Sequence, residues 1–130
     1  MAAATTPIFV DTVRNQVAAI SAANTNRDGT GTIVTIFTAG ADGSIIEKVR
    51  AIAIVTTTAG MVRLYVHNGT TAFLIAELTV DAITVSATVA AWIEDWTPPN
   101  GGLLLPTGYS LRASTHNAEA FNVHTQGGDY

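Results

Sequence analysis

The chain has no cysteine, a single lysine and no apolar run approaching eighteen residues in its 130 positions. Lack of thiols excludes disulfides, thiolate metal sites and a cysteine nucleophile, so packing alone must hold the fold together. Lys48 and five arginines stand against ten carboxylates, for a net charge of −4. That is too little basic density to neutralise a run of phosphates, and no nucleic-acid partner is expected. The short apolar runs argue against a transmembrane helix. The opening Met1-Ala2-Ala3-Ala4-Thr5-Thr6-Pro7 has neither the basic nor the apolar part of a signal peptide, so a soluble protein without a membrane partner is expected. Charged residues are only 12% of the chain and hydrophobic ones 48%, far from a disordered composition. The length suits one domain.

What is abundant is β-branched. Thr, Val and Ile supply 43 residues, and these side chains pack better on a pleated sheet than on a helix. The 21 alanines sit mostly inside Thr/Val/Ile runs such as Arg50-Ala51-Ile52-Ala53-Ile54-Val55, where they read as small strand residues. Residues 1–13 have no period and contain Pro7, which suits an N-terminal arm, and residues 14–130 form the domain. Strands are expected around 16–22, 32–38, 44–58, 61–67, 71–80, 109–115 and 120–125. Residues 82–96 read as mainly strand. On the long segment Ile46, Lys48, Arg50, Ile52 and Ile54 fall on one face, and Val49, Ala51, Ala53 and Val55 on the other. Asn68-Gly69 marks a hairpin, and Thr97-Pro98-Pro99-Asn100-Gly101-Gly102 a turn. No amphipathic helix separates any two strands, so βαβ crossovers are excluded. The expectation is an all-β, jelly-roll-like sandwich of about eight strands.

Chemistry-bearing motifs are few. His67, His116 and His124 fall on three separate segments, a poor arrangement for a metal, and no nucleophile-elbow signature occurs; neither an enzyme nor a cofactor is expected. Glu94 and Asp95 are strand neighbours that point to opposite faces, so they do not flank one substrate. Trp92 and Trp96 share a face and, with Tyr109, are candidates for the core, for a subunit interface or for a sugar platform. Arg63 and Arg112 fall on polar strand faces, where forked guanidinium groups suit contacts between subunits. Charge is uneven, +1 over residues 1–65 and −5 over residues 66–130, which permits complementarity between copies.

Three stretches and the terminus carry a resemblance: Gly60-Met61-Val62-Arg63-Leu64-Tyr65-Val66-His67-Asn68-Gly69-Thr70, Leu74-Ile75-Ala76-Glu77, Leu105-Pro106-Thr107-Gly108-Tyr109-Ser110-Leu111-Arg112-Ala113-Ser114-Thr115, and Gly127-Gly128-Asp129-Tyr130. Over residues 30–130 the pattern resembles small structural proteins of tailed bacteriophages. The resemblance implies a jelly-roll subunit on the outside of the virion, made in the host cytoplasm. Its role would be a capsid decoration (cement) protein, a trimer bound to the major capsid protein, with a receptor- or glycan-binding module of a fibre or tail as the alternative. The residues expected between subunits are Arg63, Tyr65, Trp92, Trp96 and Arg112, and those on the shell Thr5, Pro7, Phe9 and Asp11 in the arm.

Overall fold

The computed structural model describes residues 10–130; Thr5, Pro7 and Phe9 of the expected arm lie outside them. Nine strands form among the described residues: β1 Thr12–Ile20, β2 Val34–Thr38, β3 Ser44–Ala53, β4 Gly60–His67, β5 Ala72–Val80, β6 Ile93–Trp96, β7 Leu103–Leu105, β8 Ser110–Thr115 and β9 Phe121–Asp129. They make two antiparallel sheets, ordered β1-β9-β3-β6, with β7 also on β3, and β2-β8-β4-β5. β6 and β7 continue one another along the edge of β3, from Ile52↔Ile93 through Val49↔Trp96 to Ser44↔Leu105. Between them Pro98 and Pro99 cannot donate to a ladder, and a short 3-10 turn, Pro99–Gly101, leaves the sheet. Counted as one strand, they leave eight. The pairs β1·β9, β2·β8, β3·β6/β7 and β4·β5 are then those of a long antiparallel hairpin rolled into two sheets, which is the jelly roll.

The ladder begins inside the stretch read as an arm. Thr12 and Val13 pair with Asp129 and Gly128, and the Asp11 N–H donates to the Asp129 carbonyl at 2.8 Å. Residues 82–92, expected as mainly strand, are instead a loop with isolated bridges at Thr57↔Ile83 and Ser86↔Val89. There the Ser86 hydroxyl accepts the N–H groups of Thr88 and Val89, a local alternative to a ladder.

The faces of β3 also differ from simple alternation. A bulge between Ile46 and Lys48 shifts the phase, so Ile46 joins Val49, Ala51 and Ala53 in the core while Lys48, Arg50 and Ile52 face outward. Gly127 permits this: a Cβ there would lie 1.9 Å from the Ile45 carbonyl oxygen. The core between the sheets holds Phe37, Ile46, Val62, Leu64, Leu111, Phe121 and Val123. Trp92 closes it at one side, 3% exposed and edge-on to Phe121 with ring centroids 5.7 Å apart. Opposite, Arg14 from β1 lies 4.2 Å over the Phe37 ring and pairs with Asp129 at 3.1 Å.

Truncating this lid tests the packing. Trp92→Ala should cost about 3–5 kcal/mol, read as a fall in the urea midpoint; a midpoint within error of the parent would place Trp92 outside the core.

Candidate functional site

The two sheets treat their outer faces differently. Over the β2-β8-β4-β5 sheet lies the β1–β2 connection, residues 21–33, which starts by pairing Ala23 with Thr115. Asn24 shapes it from within: its Nδ2 donates to the carbonyls of Thr30 and Thr32, and its Oδ1 accepts the Asn26 N–H, all at 3.0 Å. Beneath sits Arg63, 1% exposed. Its Nε donates to Glu77 Oε2 at 2.9 Å, NH1 to the Asn24 carbonyl at 3.2 Å and NH2 to His116 Nδ1 at 3.2 Å. A guanidinium has no acceptor, so Nδ1 of His116 must be bare and its ring proton on Nε2. Tyr65, fully buried, donates its hydroxyl to the Asn26 carbonyl and accepts from Ser114. Arg27 adds a second cation on Glu77, at 2.7 Å.

Three residues expected at a subunit interface are therefore interior to the chain: Arg63 and Tyr65 hold the 21–33 loop, and Trp92 lines the core. Trp96 is partly buried and packs against the core, as does Tyr109, so no exposed aromatic patch forms from these side chains. Arg112 remains partly open. Among the described residues it is the arginine without a carboxylate within 4.0 Å. Residue patterning did not single out Asn24, Glu77 or Arg14; the cue for Glu77 was register, since it pairs directly with Arg63 across β4 and β5.

The outer face of the β1-β9-β3-β6 sheet has no such cover among the described residues. Register lays its side chains in rows: Ala19, Asn122, Ile52 and Ile93; then Val17, His124, Arg50 and Asp95; and at the far end Val13, Ile45 and Leu104. Val13, Val17, Ile93 and Leu104 are exposed. A polar band crosses the middle, in which His124 bonds to Asn15, and Arg50 grips Asp95 through Nε at 2.6 Å and NH2 at 2.9 Å. Lys48 lies 3.3 Å from Asp95. The Arg50 hydrogen bonds, with those of Lys48, pull the Asp95 carboxyl down to about 2. Two shallow concavities lie between this band and the Val13 end of the sheet, about 390 Å³ between Val13, Asn15, Glu47 and Gln126, and about 550 Å³ between Ile45, Pro98, Pro99 and Leu104.

No group of three or more metal-ligating side chains converges among the described residues, and no helix there is long and apolar enough to cross a membrane. Searches against protein-family models and against curated proteins return no match to this chain.

The charge network has a pH signature. Hydrogen bonds from Arg27 and then Arg63 hold Glu77 below the ordinary glutamate range, and a Ser44 hydrogen bond followed by Arg14 does the same for Asp129. A carboxylate with a lowered folded value stabilises fully above its unfolded value and loses that contribution as pH falls through the folded one. Urea unfolding should show a plateau above about pH 5 and a decline from about pH 4 towards 2. Glu77→Gln should lower the plateau by about 1–3 kcal/mol and make the decline shallower; an unchanged acid limb would remove Glu77 from this account.

Proposed function

We propose that the chain is a non-enzymatic structural subunit of a tailed-phage virion, a decoration protein that binds the outside of the shell as a trimer. The observation that carries this reading is the asymmetry of the sandwich. One outer face is covered over Arg63 and Tyr65 by the chain's own loop, with Phe73 and Ile75 of its edge strand left exposed, while the other carries no such loop among the described residues and presents Val13, Val17, Ile93 and Leu104 around a polar band. Apolar side chains left in water on a sheet face gain by burial when a partner covers that face, and a charged band between them can set the partner's register. The phage-like pattern of residues 60–70 and 105–115 supports the same reading. Its occupants are the major capsid protein beneath and neighbouring copies at the sides, with the virion surface as its place after synthesis in the host cytoplasm.

The mechanism is linkage. A subunit that binds the intact lattice and not the disrupted one raises lattice stability by RT ln(1 + [L]/Kd), about 2.7 kcal/mol when the free subunit is at a hundred times Kd. Many weak contacts repeated over a shell suffice, and the domain needs no catalytic group.

Sedimentation with decoration-free expanded shells tests this, with bound copies counted by mass spectrometry. The parent chain should saturate at a lattice-related number. Val17→Asp, an exposed change that should leave stability within about 0.5 kcal/mol, should weaken binding by about tenfold or more. Removing residues 1–9, which leaves the β1 ladder intact, measures the share of the arm. Failure of the parent chain to sediment with shells would overturn the reading.

A further inference from the structure

We propose that the cleft between residues 28–33, the 68–71 turn and Arg112 binds a sugar acid, a small polyhydroxylated carboxylate. The cleft is open to solvent and offers about 320 Å³, room for one monosaccharide unit at the surface. Arg112 supplies the anion-recognising group. Its Nε donates to Ser110 Oγ at 3.0 Å, which fixes the plane of the guanidinium and leaves NH1 and NH2 as a fork for an incoming carboxylate.

The other walls suit hydroxyls. Asp28 Oδ1 accepts the N–H of Thr30 at 3.1 Å and its hydroxyl at 2.5 Å, so the carboxylate is held in place with Oδ2 left as an acceptor. His67 Nδ1 accepts the Gly69 N–H at 3.1 Å, which in the neutral ring puts the proton on Nε2 as a donor. Thr70 and Thr71 line the turn, and both their N–H groups are tied to Asn68 Oδ1, leaving the hydroxyls for a ligand. Rigidity comes from Gly29, at φ +85°, where a Cβ would stand 2.3 Å from the Ala72 carbonyl oxygen; the loop can press on β5 only because that atom is missing.

This donor and acceptor set discriminates between ligand classes. A compact inorganic anion would gain from Arg112 but face the Asp28 carboxylate. A neutral sugar would leave the guanidinium unused. A ligand with a carboxylate at one end and hydroxyls at the other satisfies both. Arg112 points outward from β8, on the opposite side of the sandwich from Val17 and Leu104, so a subunit held by its open face would turn this cleft away from the surface that holds it.

Titrating the isotopically labelled full chain with D-glucuronate and N-acetylneuraminate at millimolar concentrations, followed by amide chemical shifts, tests the proposal. Acetate, inorganic phosphate and glucose run in parallel. The expected result is saturable shifts confined to residues 28–33, 67–71 and 110–112 with at least one sugar acid, and weaker or no response to the three controls. Arg112→Gln should reduce that affinity by about tenfold or more, with Arg112→Lys intermediate because it keeps the charge and loses the fork. No shifts in the cleft, equal shifts with acetate, phosphate or glucose, or unchanged affinity in Arg112→Gln would each overturn it. Should Arg112→Gln not fold, Thr71→Val, expected to weaken binding, and the parent shift map decide alone.

Discussion

A guanidinium almost out of contact with water organises one side of this molecule. Arg63 is buried beneath the 21–33 loop, and each of its nitrogens has a partner: Glu77, the Asn24 carbonyl and His116. Such a charge is tolerated only when geometry and hydrogen bonds offset its desolvation, so the loop, the hairpin and the end of β8 must all be in place together. Asn24 makes this possible by satisfying the carbonyls of Thr30 and Thr32, which would otherwise face inward without donors. Once formed, the arrangement converts an ordinary sheet face into a second interior layer containing Tyr65 and Ser114.

The other side of the sandwich has no comparable device among the described residues. Its charged groups stay at the surface, where Arg50, Lys48 and Asp95 form a solvated cluster, and surface ion pairs of this kind contribute little to stability. Their value is orientation: a fixed polar band between two apolar margins. The proposed attachment to a shell uses that band for register and the margins for affinity. The cleft at Arg112 lies on the other side of the sandwich, so the proposed shell attachment and the proposed binding of a sugar acid do not compete for one surface.

Much of the fold was legible from the residues. Thr/Val/Ile content, the alternation at 61–67 and 109–115 and the absence of amphipathic helices gave the all-β sandwich. What alternation could not supply was register. A two-residue turn at Asn68-Gly69 would set Arg63 opposite Leu74; the actual loop spans four residues, and a bulge beyond it brings Arg63 opposite Glu77. The bulge at Ile46 likewise moved one isoleucine from the surface to the core, through a close backbone approach that only Gly127 allows. Arg63 and Tyr65 read as interface residues for a related reason. Arg63 and Tyr65 do lie on the outer face of their strand, but the covering loop is a tertiary feature that no local pattern announces. Arg112, on the same sheet, lies at the mouth of that cover and stays partly open.

An electron cryomicroscopy map of saturated shells tests the central proposal, that attachment uses the β1-β9-β3-β6 face and not the side carrying the 21–33 loop. The account predicts subunits seated with the β1-β9-β3 face, including Val17 and Leu104, against protein, and with the 21–33 loop and the Arg112 cleft turned to solvent. Subunits bound through the 21–33 loop, with Val17 and Leu104 left in water, would contradict it.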